Sequence, residues 1–105
     1  MVKAIAHITG GGIVENVPRV IPPDVDVEIK VGELPIPRIF GLLQEKGGIP
    51  DDEMTRVFNM GLGLILIVDP YYAKAVVRRL QEAGETAGIV GTVKKGKREV
   101  VIKWK

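Results

Sequence analysis

Residues 2–19, VKAIAHITGGGIVENVPR, place three consecutive glycines between a segment of alternating character and a segment with helical spacing. From residue 2 to residue 9 the even positions are small or apolar, which predicts a half-buried strand. Ile13, Val17 and Val20 then follow the spacing of one helix face. Pro18 has no N–H to donate, so this helix should be short or restart there. The pattern predicts a strand, a glycine loop and a helix in succession.

Two further strand–helix patterns follow. Residues 25–31 alternate and predict a second strand, and an amphipathic helix around residues 39–43 should end at Gly47 and Gly48. A new helix should start near Pro50, because the acids at positions 51–53 suit the positive end of a helix dipole. Residues 58–69 are apolar on both faces and predict a central strand that is covered on both sides.

The remaining third of the chain predicts one helix and two strands. Asp69 and Pro70 form an N-cap signal before a helix with its apolar stripe at residues 73–80, which ends at Gly84. Two β runs, 86–93 and 99–104, should form a hairpin around Gly96. The order β-α-β-α-α-β-α-β-β predicts an α+β fold in which helices pack against a mixed β-sheet. At 105 residues the chain should form a single domain, 1–105.

Composition excludes several classes of protein. The chain has no cysteine and one histidine, so neither disulfides nor a protein-only zinc site are expected, and no metal ligands are assigned. Its first residues are too short and polar for a signal peptide, and the apolar run LGLILIV is too short to span a bilayer. We therefore expect a soluble cytoplasmic protein without a membrane partner.

Charge is distributed unevenly. Residues 1–52 contain five Lys or Arg and eight Asp or Glu, whereas residues 53–105 contain ten and five. Much of the basic excess lies in the last twelve residues, KKGKREVVIKWK. Such a tail can contact nucleic acid, but we expect a solvated hairpin, because a lone Trp104 is no platform for stacked bases.

The glycine loop is the first candidate site. Backbone N–H groups at a helix start have no intrahelical partner, and glycines allow an anion to approach them closely. Thr9, Asn16 and Arg19 could supplement such a site. The loop matches neither GxxxxGK[ST] nor GxGxxG, so a purely structural turn is the alternative.

Three other features could carry chemistry. His7 at the strand end is the only side chain here that normally changes charge near neutral pH, and a structural histidine is the alternative. Asn59 is a polar residue entering an apolar run, so it should either lock a loop or touch a ligand. Asp51, Asp52 and Glu53 could be catalytic acids, although capping of a helix is the favoured interpretation.

Three segments together resemble a known family. HITGGGIVENVPRVIP, PRIFGLLQEKGGIPDDEM and VFNMGLGLILIV occur in the order and spacing of the C-terminal domain of phosphoribosylformylglycinamidine cyclo-ligases (AIR synthetases). The resemblance covers about residues 3–92. It implies the architecture of that domain.

The resemblance also implies a function. Enzymes of this family close the imidazole ring in de novo purine biosynthesis, converting formylglycinamidine ribonucleotide and ATP to aminoimidazole ribonucleotide, ADP and phosphate. They are homodimers whose N-terminal domain holds most of the ATP and Mg²⁺ site, and the active site is a groove between the two domains. The family motifs correspond to two sets of residues in this sequence. The first set is His7, Thr9, Gly10, Gly11, Gly12, Asn16 and Arg19, and the second is Asn59, Met60 and Gly61.

The sequence departs from the family in three respects, one of which is that many members have a tryptophan where this chain reads VGELPIPRIF. It lacks the N-terminal ATP-binding domain, and its basic last dozen residues match no family motif. We expect the chain to need that domain as a partner, in the same or a separate polypeptide, and to be inactive and to bind neither ATP nor Mg²⁺ alone. His7 is then the candidate catalytic group, and the glycine loop should bind the phosphate of a ribonucleotide substrate. The alternative is a stand-alone, non-catalytic module that binds nucleotides or regulates.

Overall fold

The computed structural model describes residues 2–104, so Lys105 of the predicted basic tail lies outside the described residues. The strands are β1 (Val2–His7), β2 (Val25–Val31), β3 (Leu64–Val68), β4 (Gly91–Lys95) and β5 (Val100–Trp104). The helices are α1 (Gly12–Asn16), α2 (Arg38–Gly47), α3 (Asp51–Val57) and α4 (Ala73–Glu82). Short 3₁₀ turns at Pro18–Val20 and Pro70–Tyr72 follow α1 and precede α4. The predicted α+β class and element order are confirmed.

The strands divide between two sheets. One consists of β1 and β3, which run antiparallel with His7 opposite Leu64. The other has the order β4-β2-β5, in which β2 pairs antiparallel with β4 and parallel with β5, and this sheet is the mixed one. The two sheets share one hydrophobic core, to which Ile13, Ile29 and Met54 contribute fully buried side chains.

Two strand predictions are wrong in detail. β3 was expected to be central and covered on both faces, but among the described residues it pairs only with β1, and Leu64 is exposed. The two C-terminal strands were expected to form a hairpin, but β2 lies between them. Apolar content alone could not distinguish a covered strand from one whose outer face is exposed.

The connection from β4 to β5, residues 96–99, crosses the start of β2 and is here named the crossing turn. The Asp26 carboxylate on β2 accepts hydrogen bonds from the backbone N–H groups of Glu99 (2.9 Å) and Lys97 (2.7 Å). These two bonds, the one from Glu99 most strongly, hold the pKa of Asp26 below its ordinary value. Gly96 leaves space for this arrangement, because a Cβ there would overlap the Asp26 carboxylate.

The helix boundaries largely follow the sequence signals. Gly48, with a φ of 61°, caps α2 in the left-handed conformation, and Asp51, Asp52 and Glu53 occupy the first turn of α3. The Asp69 carboxylate accepts the Tyr71 N–H at 3.0 Å, which confirms the predicted cap. No helix among residues 2–104 has the length and apolar character needed to cross a membrane.

Candidate functional site

The two motifs of the sequence lie next to each other because β1 and β3 are antiparallel. The end of β1 therefore meets the beginning of β3, and the Ile8 N–H extends the pairing by donating to the Gly63 carbonyl oxygen at 2.9 Å. The loop that follows β1 (residues 9–12, the glycine loop) consequently adjoins the turn that precedes β3 (residues 58–61, the FNMG turn). The strand pairing brings these motifs together, although about fifty residues separate them in the sequence.

Two of the three glycines are required by the backbone. Gly11 and Gly12 have φ values of 95° and 64°, in the left-handed region that favours glycine. At Gly12 a Cβ would overlap the backbone carbonyl oxygen of Thr55 on α3 and lie 3.0 Å from that of Phe58. Gly10, by contrast, has open space around its missing Cβ. Gly12 thus lets α1 pack closely against α3, while Gly10 is free on the outside of the loop.

Asn16 holds the glycine loop from inside. Its side chain is 5% exposed, and its amide N–H groups donate to the carbonyl oxygens of Gly12 (2.7 Å), Thr9 (3.3 Å) and Gly10 (3.4 Å). Its Oδ1 accepts from the Thr9 hydroxyl (3.5 Å) and from Arg19 Nη1 (3.4 Å). A single buried amide therefore joins the loop carbonyls to Thr9 and Arg19, the two side chains that remain exposed.

This arrangement leaves hydrogen-bond donors free. The Gly12 N–H donates to the Thr9 carbonyl oxygen at 2.9 Å. The backbone N–H groups of Gly10, Gly11 and Val14 donate no hydrogen bond within residues 2–104, and these three residues are at least partly exposed. The loop therefore combines unpaired backbone donors with the guanidinium of Arg19, and both favour an anionic ligand.

The FNMG turn is locked by its own side chain. The Asn59 Oδ1 accepts the Gly61 N–H at 2.8 Å, and the Leu62 N–H donates to the Asn59 carbonyl oxygen at 2.9 Å. Met60 has a φ of 54°, and its side chain is only 4% exposed, so it belongs to the core. Of the two alternatives for Asn59, the structure shows the loop lock, and Met60 offers no exposed side chain to a ligand.

A shallow depression of about 210 Å³ lies between the glycine loop and the FNMG turn. Its lining combines the polar Thr9 and Asn59 with apolar side chains that the sequence did not single out as site residues, namely Ile8, Phe40, Val57 and Phe58. Phe40 and Phe58 pack with ring centroids 5.7 Å apart. In the sequence, the only signal that Phe58 lies at the site was its position directly before Asn59. Phe40 was predicted only as part of a helix face.

His7 lies outside this depression. It is the last residue of β1, is exposed, and follows the buried Ala6, so strand alternation directs it to the opposite side of the sheet from the core. Ile8 and Thr9, the next residues, line the depression. The structure therefore places His7 beside the candidate site, on a different face from the depression.

The acidic residues at the start of α3 do not form a metal site. Asp51 Oδ1 accepts a hydrogen bond from Gln44 Nε2 at 2.6 Å, which ties α3 to α2. Among residues 2–104, no three His, Cys, Asp or Glu side chains are grouped closely enough to hold a metal ion. The described side chains thus define no metal centre of their own, and we derive no step through Mg²⁺.

The basic C-terminal segment is partly neutralised. Glu28 on β2 lies between Lys103 on β5 (3.3 Å) and Lys94 on β4 (3.5 Å). The bond from Lys103 makes the largest contribution to lowering the pKa of Glu28 below its ordinary value. Two of the lysines that suggested an anionic partner are thus paired across the sheet.

Known proteins match nearly the whole chain. Residues 1–103 match the family described as AIR synthase related protein, C-terminal domain. The phosphoribosylformylglycinamidine cyclo-ligase of Geobacillus kaustophilus is 50% identical over 95 residues, which cover 90% of this chain and 28% of that relative. The enzymes of the same name from Brevibacillus brevis and Bacillus licheniformis are 47% and 45% identical over 100 and 95 residues, again 29% and 28% of their lengths. The chain spans less than a third of these relatives, and the resemblance seen in its motifs is confirmed: it belongs to the AIR synthase related protein family and corresponds to the C-terminal domain.

Proposed function

We propose that this chain is the C-terminal domain of a phosphoribosylformylglycinamidine cyclo-ligase and that its glycine loop binds the phosphate of the phosphoribosyl substrate. The observation that carries the proposal is the group of unpaired, accessible N–H donors at Gly10, Gly11 and Val14, near Arg19. The names of the relatives specify a substrate with a phosphoribosyl group. A phosphate dianion fits a concave set of backbone donors beside a guanidinium.

The complete reaction needs groups that this domain does not supply. In the proposed enzyme, ATP and Mg²⁺ are bound mainly by an N-terminal domain, in the same or a separate polypeptide, and ATP supplies the phosphoryl group that activates the formyl oxygen for ring closure. The role of this chain is to hold the substrate phosphate and so to orient the reacting end. We further propose a cytoplasmic homodimer. His7 stays the candidate acid–base group of the assembled enzyme.

Phosphate binding can be tested on the chain itself. Inorganic phosphate and ribose 5-phosphate are titrated into ¹⁵N-labelled protein, and the amide resonances of Gly10 and Gly11 are followed. We expect saturable shifts at the glycine loop and about tenfold weaker binding in Arg19→Gln, because a charged hydrogen-bond donor is lost. Arg79→Gln is the matched control, since Arg79 is an exposed arginine on α4. Shifts confined to the crossing turn, or equal losses in the two variants, would contradict the proposal.

Catalysis is tested in a chimera in which this chain replaces the matched 95-residue segment of the Geobacillus kaustophilus enzyme. We expect ATP-dependent formation of aminoimidazole ribonucleotide, and a loss of turnover in His7→Gln if His7 is the acid–base group. A chimera that binds phosphate at the loop but has no turnover would support the alternative of a non-catalytic module.

A further inference from the structure

The two-stranded sheet has an unusually apolar exposed side. The antiparallel register places Ile5 opposite Leu66 and His7 opposite Leu64, and all four point away from the buried Ala6 and Ile65. We name these four residues the outer face. Ile5 is 54% exposed and Leu64 is 57% exposed. Large aliphatic side chains therefore project into solvent from both strands.

The solvent-facing side of the β4-β2-β5 sheet differs from the outer face in composition. The residues that alternate with the buried positions of β2, and their neighbours on β4 and β5, are mainly charged: Asp26, Glu28, Lys30, Lys94 and Lys103. The outer face of β1 and β3 has no acidic residue, and His7 is its one titratable member; the exposed Lys3 lies two residues before Ile5 on β1. Its composition therefore suits an apolar protein surface and offers no cationic cluster to a nucleic acid or a lipid headgroup.

The two-stranded sheet is supported by the core on one side only. Each of its strands is also an edge among the described residues. The curated relatives contain the matched segment as only 28% of their length, so a much larger part of those proteins lies outside it. That larger part could supply the surface that covers the exposed apolar face of the sheet.

We propose that the outer face is the docking surface for the remaining part of the cyclo-ligase, which meets it with an apolar surface. This inference rests on the proposed function. Because His7 belongs to the outer face and Leu64 lies opposite it, the docked unit covers His7 and reaches the strand ends from which the glycine loop and the FNMG turn emerge. Docking thus brings the partner unit to the edge of the candidate site, on the side where His7 lies.

The test compares two isoleucines of equal exposure. Ile5 and Ile89 are both 54% exposed, but Ile89 lies in the loop before β4 and belongs to neither β1 nor β3. Hydrogen exchange of the amides in residues 2–7 and 64–68 is measured in the isolated chain and in the chimera. We expect exchange in the chimera to be slower by about tenfold or more, Ile5→Asp to abolish this protection, and Ile89→Asp to retain it. In the isolated chain, where both side chains face water, neither variant should change the midpoint of thermal unfolding appreciably.

Two results would overturn the proposal. One is equal exchange of these strands in the isolated chain and the chimera, or equal behaviour of the two variants. The other is self-association of the isolated chain in sedimentation velocity that Ile5→Asp abolishes, because the occupant would then be a second copy. If the chimera does not fold, the aspartate substitution at the aligned position of the Geobacillus kaustophilus enzyme provides the same comparison. The readout is independent of turnover, so protected strands in an inactive chimera would refute the catalytic function and leave the docking surface in place.

Discussion

Gly12→Ala tests the close packing of α1 against α3. Alanine would have to adopt the left-handed conformation of Gly12, at a cost of about 1–2 kcal/mol. Its methyl group would also overlap the Thr55 carbonyl oxygen, which belongs to the backbone and cannot rotate away, and overpacking of this kind costs about 1–3 kcal/mol. The free energy of unfolding should therefore fall by about 2–5 kcal/mol. For a domain of this size the midpoint of thermal unfolding should fall by at least about 8 °C.

Gly10→Ala is the matched control for this substitution. Gly10 is in the same loop, but its φ is not in the left-handed region and a Cβ there meets no atom within 4 Å. Alanine at this position should change the free energy of unfolding by no more than about 1 kcal/mol, because it mainly restricts the unfolded chain. Thermal and urea unfolding followed by circular dichroism measure both variants. Equal midpoints for Gly10→Ala and Gly12→Ala would refute the packing argument.

Three further predictions concern other parts of the molecule. Asn16→Ala should lower the free energy of unfolding by about 1–3 kcal/mol, because the loop carbonyls lose a buried donor, and it should also weaken phosphate binding. A folded variant with unchanged phosphate affinity in the NMR titration would show that Asn16 does not position the loop. The pKa of Asp26 is lowered in the folded state, so its stabilising effect should be present above the ordinary pKa of an aspartate and be lost as pH falls through the lower, folded value. Asp26→Asn should therefore flatten the acidic part of a plot of unfolding midpoint against pH, and an unchanged plot would contradict this. Gly61→Ala should destabilise the FNMG turn, since Gly61 has a φ of 89° and a Cβ would lie 2.7 Å from Cδ of Pro37. A midpoint of thermal unfolding equal to that of the wild type would show that the turn can relax.

The local elements were predictable from sequence because their signals are local. Alternation in β1, the left-handed glycine after α2 and the carboxylate cap at Asp69 each depend on a few neighbouring residues. The sheet pairing was not predictable by the same reasoning. A Gly-containing turn between two β runs favours a hairpin, but the Asp26 carboxylate, distant in sequence, binds the crossing turn over β2.

The candidate site was likewise predictable from the sequence only in part. The glycine loop and Arg19 were identified from residue types, and the structure brings them together through Asn16. Asn16 itself was predicted to contact substrate, whereas its burial and its bonds to loop carbonyls make it a support for the loop. Sequence could not reveal this, because an asparagine that holds a backbone and one that holds a ligand have the same spacing.

The crossing turn has a consequence for how the chain folds. Both neighbours of β2 lie at or beyond Gly91 in the sequence, and the bonds that Asp26 accepts join residues 71 and 73 positions apart. Contacts of such long sequence separation slow folding, because a long loop must close before they form. During synthesis, β2 stays without either partner strand until residues 91–104 have left the ribosome. Until then its buried valines and isoleucine are exposed to other chains, and the segment that contains β4 and β5 completes the core.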